Sequence, residues 1–162
     1  MRDIDIKCED GNFKFRVSAI IIKDNKLLVE NSLKKDGYYV LPGGHIEFGE
    51  ISSEALLREV EEEVKIKVKI LNLFCVLENI YYYKNKINQE INCFYKVECL
   101  EELEDIFETE EIDKGINKHH KFEFIPIEKL NNLRPSVIMN MIKENINYEN
   151  KIVLLDERKL NN

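Results

Sequence analysis

From residue 13 to residue 22, Phe13, Phe15, Val17, Ala19 and Ile21 alternate with Lys14, Arg16 and Ser18, a period of two that predicts a strand. Asp10-Gly11 just before it is a hairpin signal, so residues 4–9 are expected to pair with that strand. Asp24-Asn25 offers a second tight turn ahead of a strand at 27–29. Residues 38–41 form a short extended piece ending at Pro42, whose ring disfavours helix at Leu41. Residues 68–77 and 91–97 read as strands, with the polar stretch 83–90 as the loop between them. Residues 100–118 hold Glu101, Glu102, Glu104, Glu108, Glu110 and Glu111 and predict a solvated loop with room for one helical turn. A last core strand falls at 121–126, followed by a short turn at 127–130.

Two segments carry a helical period instead. At about 100° per residue, Leu56, Leu57, Val60 and Val64 share one arc of a helix at 52–64, and Glu59, Glu62 and Glu63 share the arc beside it. One face docks on a sheet while its neighbour lifts three carboxylates toward a cleft. The second helix begins at Pro135 and presents Val137, Ile138, Met141 and Ile142. Residues 152–155 are too apolar to be disordered and too short to place. The order strand, strand, helix, strands, helix predicts an α/β fold with a mixed sheet and helices on its faces. We expect one domain over 1–162, with 1–12 as an extension or extra strand and 147–162 as a tail.

Composition adds limits. A chain of 162 residues, 44% hydrophobic and 34% charged, is large enough for one well-buried core. The formal net charge of -7 argues against a general nucleic-acid binder, so no stable nucleic-acid complex is expected. If the ligand is a polyanion, an acidic protein must invert its local field, and bound cations do this directly. Cys8, Cys75, Cys93 and Cys99 form no CxxC pair and have no zinc-like spacing with His45, His119 or His120. Such scattered thiols fit a reducing compartment. The N-terminal MRDIDIKCED is charged where a signal peptide is apolar, and no run approaches a membrane span, so the expectation is a cytoplasmic protein without membrane contact. Nothing in the sequence decides between a monomer and a homodimer.

The chemistry gathers in LPGGHIEFGEISSEALLREVEEEVKI, residues 41–66. Two glycines allow close approach of the main chain, and the helix after them carries Arg58, Glu59, Glu62 and Glu63. Like charges three and four residues apart destabilise a helix by about 0.2–0.5 kcal/mol per pair, and a divalent cation offsets that repulsion. Oxygen donors without histidine or thiolate select hard cations, so Mg²⁺ or Mn²⁺ is expected over zinc. A run of glutamates alone is more often a solvated face, and it is the fixed offsets of the glycine turn and Arg58 that point to a site.

Those offsets resemble the Nudix box, GX5EX7REUXEEXGU, with U a bulky aliphatic residue. Gly44 matches the box glycine, Glu50 the first glutamate, Arg58-Glu59-Val60 the REU element, Glu62-Glu63 the EE pair and Ile66 the last aliphatic position. Leu41-Pro42-Gly43 ahead of it is also typical of the family. Two positions depart from the pattern. Lys65 replaces the glycine that ends the helix in a left-handed conformation, which costs about 1 kcal/mol if the geometry is kept. Ile51 stands where a Ser or Thr cap is common, and Ser52 is the alternative cap one residue later.

The resemblance implies a Nudix α/β/α sandwich with Glu59, Glu62, Glu63 and a backbone carbonyl at Gly43 as metal ligands. It further implies water attack on one phosphorus of a nucleoside diphosphate linked to another group, with Glu59, Glu62, Arg58 and Glu50 in the catalytic machinery and Gly43 and Gly44 against the substrate. The substrate would be a small nucleotide, a dinucleoside polyphosphate or a dNTP. Glu59 is the first candidate for general base, with Glu123 or a glutamate of the acidic segment as alternatives. Arg58 is expected to orient Glu50 or Glu59 rather than to bind phosphate. His45 is expected to face solvent, and His119-His120 to sit on a surface strand edge. Tyr81, Tyr82 and Tyr83 follow the strand after the box at a distance where some diadenosine-polyphosphate hydrolases carry a tyrosine. Tyr81 and Tyr83 are therefore candidates for stacking on a base, against the plainer reading of a hairpin covering the sheet. The competing functional classes are a non-catalytic Nudix-fold nucleotide-binding module and a purely structural domain.

Overall fold

The computed structural model describes residues 2–31, 37–144 and 151–156. Among the described residues, nine strands form a mixed sheet with a helix on each face, as expected for an α/β/α sandwich. The strands are β1 (Asp5–Lys7), β2 (Gly11–Lys23), β3 (Lys26–Asn31), β4 (Tyr39–Val40), β5 (Val68–Tyr83), β6 (Lys86–Cys99), β7 (Ile106–Asp113), β8 (Ile116–Pro126) and β9 (Lys151–Asp156). The helices are α1 (Ser52–Glu63) and α2 (Ser136–Lys143), with a 3-10 turn at Ile127–Lys129. The strand order is β7-β8-β3-β2-β6-β5-β9, with β1 antiparallel to β2 and β4 antiparallel to β3.

β2 lies parallel to β6 from Gly11 opposite Ile87 to Ile21 opposite Val97. Its other edge meets β3 at only two residue pairs, next to the Asp24-Asn25 turn. Both turn residues have positive φ, 49° and 59°, the geometry that joins two strands most tightly. Beyond that point β3 leaves β2, and the glycine segment takes the vacated edge. Ala19 donates to the Pro42 carbonyl at 2.8 Å, Val17 to Gly44 at 3.0 Å, and Ile46 to Phe15 at 2.9 Å. The bend is thus held as a partial strand, with its backbone groups paired rather than loose.

Alternation along β2 sends Val17, Ala19 and Ile21 to one face and Ile20 to the other. The first set packs with Ala55, Leu56, Val60 and Val64 of α1, and the second with Leu133, Ile138, Met141 and Ile142 around α2. Fully burying an aliphatic side chain of this size contributes about 1.5–3 kcal/mol, so these contacts fix how α1 sits on the sheet. Leu57 is a correction: it is exposed, and Ala55 takes its expected place in the packed arc.

Other differences have local causes. The stretch 83–90 is not a loop, because β5 and β6 run on to a two-residue turn at Lys84-Asn85 with φ of 50° and 61°. The acidic stretch 100–118 is not a solvated loop either. Most of it is the β7–β8 hairpin, turning at Lys114-Gly115, in which Phe107, Thr109 and Glu111 point inward and Glu108 and Glu110 outward. Ser52 does not cap α1. Ile51 holds the cap position, its amide accepted by Glu54 Oε2 at 3.3 Å, and the Ser52 hydroxyl bonds Tyr95 Oη at 2.6 Å. Pro135 precedes α2 rather than starting it. Residues 152–155 fall in β9, parallel to β5 from Cys75 opposite Lys151 onward. The remainder of the 147–162 tail lies outside the described residues.

Candidate active site

The site is built where the vacated edge of β2, the glycine segment and α1 meet. Arg58 organises it with all five of its N–H groups. Nε and Nη2 donate to the two oxygens of Glu50 at 2.9 and 3.0 Å, Nη1 to Glu59 Oε1 at 2.7 Å and Glu62 Oε2 at 3.0 Å, and Nη2 also to the His45 carbonyl at 3.0 Å. A guanidinium has five donors in a fixed plane, so none is left over for a ligand here. Arg58 holds Glu50 well below the usual carboxylate range, and Glu50 also accepts the Glu47 amide at 3.1 Å. The same contact, with Glu50 first and Glu59 after, raises the Arg58 pKa further.

The three helix glutamates differ in environment. Glu62 keeps 47% of its side chain exposed. Glu59 is drawn inward, and burial raises its pKa against the opposing pull of Arg58. Glu63 is buried under the glycine segment, where the Gly43 amide donates to its Oε2 at 2.8 Å. Burial first, then Glu30, pushes the Glu63 pKa up to about 8. Both glycines are needed for this approach. A Cβ on Gly44 would overlap the Glu59 carboxylate, and Gly43, at φ 139°, lies against the Val17 carbonyl. The Gly43 carbonyl accepts Arg16 Nη2 at 3.1 Å.

Three strands complete the cluster. His120 on β8 is buried, with Nδ1 2.9 Å from Glu30 Oε1 on β3 and Nε2 3.2 Å from Glu111 Oε2 on β7. Donor atoms of Glu63, Glu111 and His120 lie within 4.8 Å of one another. Thr109 Oγ1 also donates to the Glu63 carbonyl, tying β7 to the end of α1. The surface-edge expectation for His120 is therefore overturned, since the strand alternation turns it inward beside Phe122. His119 points outward as expected. His45 is half-buried rather than facing solvent, and burial, with Arg16 next, lowers its pKa to about 4.

These groups surround a cavity of about 510 Å³. The more buried part of its lining is acidic, with Glu59, Glu63 and Glu111, while Glu62, Lys65, Lys114 and Lys118 line it from exposed positions and Arg16 from a half-buried one. Lys114 pairs with Asp3 and Lys118 with Asp113 at 2.7 Å. Tyr81 and Tyr83 are not among the described residues lining it; they stand near the Lys84-Asn85 turn, opposite Asn88 and Lys86. Glu123 is also outside, on the face of β8 opposite His120, where the Tyr39 hydroxyl bonds it. Of the glutamates in the acidic segment, Glu111 alone among the described residues reaches the lining, beside Asp113.

The donor set fits a divalent cation. Glu63 and Glu111 are each 8% exposed, and Glu111 Oε2 and His120 Nε2 have no hydrogen-bond partner despite their burial. Buried carboxylates packed this closely take up either a proton or a cation.

A mixed sheet between two helices, with a glycine bend over helix carboxylates, defines an α/β protein of the Nudix class. The NUDIX domain model matches residues 13–141, and the chain belongs to that family. It is 42% identical over 64 residues to an ADP-ribose pyrophosphatase of Methanocaldococcus jannaschii, a stretch covering 37% of each chain. It is 34% identical over 97 residues to the putative 8-oxo-dGTP diphosphatase YtkD of Bacillus subtilis, covering 56% of this chain and 60% of that one. Both matches thus span less than two thirds of the curated relatives. Among solved structures, a MutT NUDIX hydrolase from Burkholderia pseudomallei aligns with a TM-score of 0.62 at 19% identity, covering 81% of this chain and 97% of that one, a likeness of fold. Among the described residues, no helix is long and apolar enough to cross a membrane.

Proposed function

We propose that the protein is a metal-dependent hydrolase that cleaves the pyrophosphate bond of a nucleoside diphosphate linked to another moiety. The observation that supports this most is the convergence of Glu59, Glu63 and Glu111 on one cavity bordered by Arg16, Lys65, Lys114 and Lys118. Buried acidic groups beside more exposed basic ones suit a polyphosphate bridged to the protein through cations.

Glu59, Glu62, Glu63 and the Gly43 carbonyl would hold Mg²⁺ or Mn²⁺. The carbonyl has a second lone pair beyond the one that accepts Arg16. When bound, such an ion polarises a phosphoryl oxygen and lowers the pKa of water. The remaining work belongs to the side chains. Arg58 fixes Glu59 and Glu50, so the carboxylates need little reorganisation when substrate arrives. Glu59 takes the proton of the attacking water, its pKa raised by burial toward the working range of a base. Glu111 is the second candidate for that role. The lysines of the lining and Arg16 bind phosphate oxygens in exchange for their present partners. Four free thiols fit a reducing, cytoplasmic setting.

The experiment is product analysis on a panel of ADP-ribose, 8-oxo-dGTP, a dinucleoside polyphosphate and a canonical dNTP, with Mg²⁺ and with Mn²⁺. Wild type should release a nucleoside monophosphate or pyrophosphate from at least one. Glu59→Gln should lower kcat at least 100-fold, about the scale of a lost general base. Tight binding without turnover under either cation would replace hydrolysis with a nucleotide-sensing role.

A further inference from the structure

His120 is the one imidazole buried against the carboxylate cluster among the described residues. Its Nδ1 faces Glu30 Oε1 at 2.9 Å, an ideal distance for an N–H donating to a carboxylate. That bond places the ring proton on Nδ1 and leaves a lone pair on Nε2. Nε2 then looks toward Glu111 Oε2 at 3.2 Å, yet neither atom has a hydrogen bond. A doubly protonated ring would put Nε2–H at ion-pair distance from Glu111 with no hydrogen bond between them. The side chains are 7% and 10% exposed, so bulk water does not satisfy them. Two orphaned lone pairs beside a third buried carboxylate, Glu63, are stabilised by a cation among all three.

The geometry points to a nitrogen-containing cation seat formed by His120 Nε2, Glu111 and Glu63, selective for a borderline first-row divalent ion over Mg²⁺. Glu30 is its positioning residue, fixing the ring tautomer from behind as carboxylates do for metal-binding histidines. Mg²⁺ and Mn²⁺ favour oxygen donors, whereas imidazole suits Fe²⁺, Ni²⁺ and Zn²⁺, and affinity at a mixed nitrogen–oxygen site rises from Mn²⁺ to Co²⁺. The inference rests on the proposed metal reading through Glu63 and Glu111, and it makes Glu111 a cation ligand rather than the second candidate base.

The test is pulsed EPR of Mn²⁺-loaded protein, joined to Mn²⁺, Co²⁺ and Mg²⁺ binding by calorimetry. Wild type should show ¹⁴N coupling from a directly bound imidazole. In His120→Asn that coupling should vanish, and Co²⁺ affinity at one site should fall about tenfold or more while Mg²⁺ affinity changes less than twofold. Glu30→Gln should weaken Co²⁺ binding by a smaller factor. Should His120→Asn fail to fold, by circular dichroism, His120→Gln takes its place, and the wild-type coupling needs no variant. Mn²⁺ that binds wild type without nitrogen coupling, or Co²⁺ that binds equally in wild type and His120→Asn, overturns the seat while leaving the hydrolase reading intact. Absence of binding by every cation overturns both.

Discussion

The carboxylate of Glu59 occupies the space that a side chain on Gly44 would need. A Cβ built there overlaps Glu59 Oε1 and Oε2, while the Gly44 backbone does not itself require a left-handed φ. The glycine therefore serves the carboxylate and not the turn. Gly44→Ala should keep the fold but push Glu59 off its bond with Arg58. Displacing a reacting group by about 1 Å costs on the order of 100-fold in rate. We expect that loss in kcat with the melting temperature lowered by only a few degrees. A variant with wild-type kcat would show that Glu59 does not need this position.

Arg58 joins four acceptors that otherwise repel one another or go unpaired. Lysine offers a point charge and cannot reproduce the planar fork, so Arg58→Lys is not a conservative change. It should destabilise the protein by about 2 kcal/mol, the scale of hydrogen bonds to charged groups. In a double-mutant cycle with Glu50→Gln, denaturant melts should return a coupling of about 1–3 kcal/mol. Additive effects would mean that the two side chains act independently.

The box residues were legible because their spacing is local: one helix sets the arc for Glu59, Glu62 and Glu63, and one bend precedes it. The other half of the cluster comes from three strands. Its members sit at the end of inward-facing rows: Leu28 leads to Glu30, Phe124 and Phe122 lead to His120, and Phe107 and Thr109 lead to Glu111. Each step is the period of two continued by one polar residue. It becomes readable only once the register is known, with Glu30 opposite Phe122 and Thr109 opposite His120. In residues 100–118 the outward glutamates masked that period. At 84–85 a Lys-Asn pair made a turn without the glycine that usually signals one.

Glu63 makes metal-free stability depend on pH. Its pKa is about 8 in the folded protein against an ordinary 4.5, chiefly through burial. Between these values the unfolded chain releases the proton and the folded one keeps it. The folded state then binds more protons, so its stability falls as pH rises from 4.5 to 8 and levels off above. A divalent ion takes the proton's place, so stabilisation by Mg²⁺ or Mn²⁺ should grow across the same window. Urea melts in EDTA at pH 5, 6.5 and 8 would reveal the slope. Glu63→Gln should flatten it by up to about 1 kcal/mol per pH unit; an unchanged slope would assign the dependence elsewhere.

Lys65 closes α1 in a conformation that favours glycine. Val64 is still right-handed, with φ -91° and ψ -17°, and Lys65 then turns to φ 64°. The departure from the family pattern is thus one of residue type, with the glycine geometry retained. A side chain in the left-handed region costs roughly 1–2 kcal/mol, and glycine gives back part of that through the greater freedom of its unfolded chain. Lys65→Gly should therefore stabilise the protein by about 0.5–1 kcal/mol, raising the melting temperature by about 1–4 °C for a chain of this size. Lys65 also lines the cavity, so the two effects separate. If its ammonium binds substrate phosphate, the same variant raises KM and leaves kcat near wild type, because a contact equal in ground and transition states affects binding alone. A stabilised variant with unchanged KM would assign Lys65 to the helix end only, and a destabilised one would contradict the strain argument.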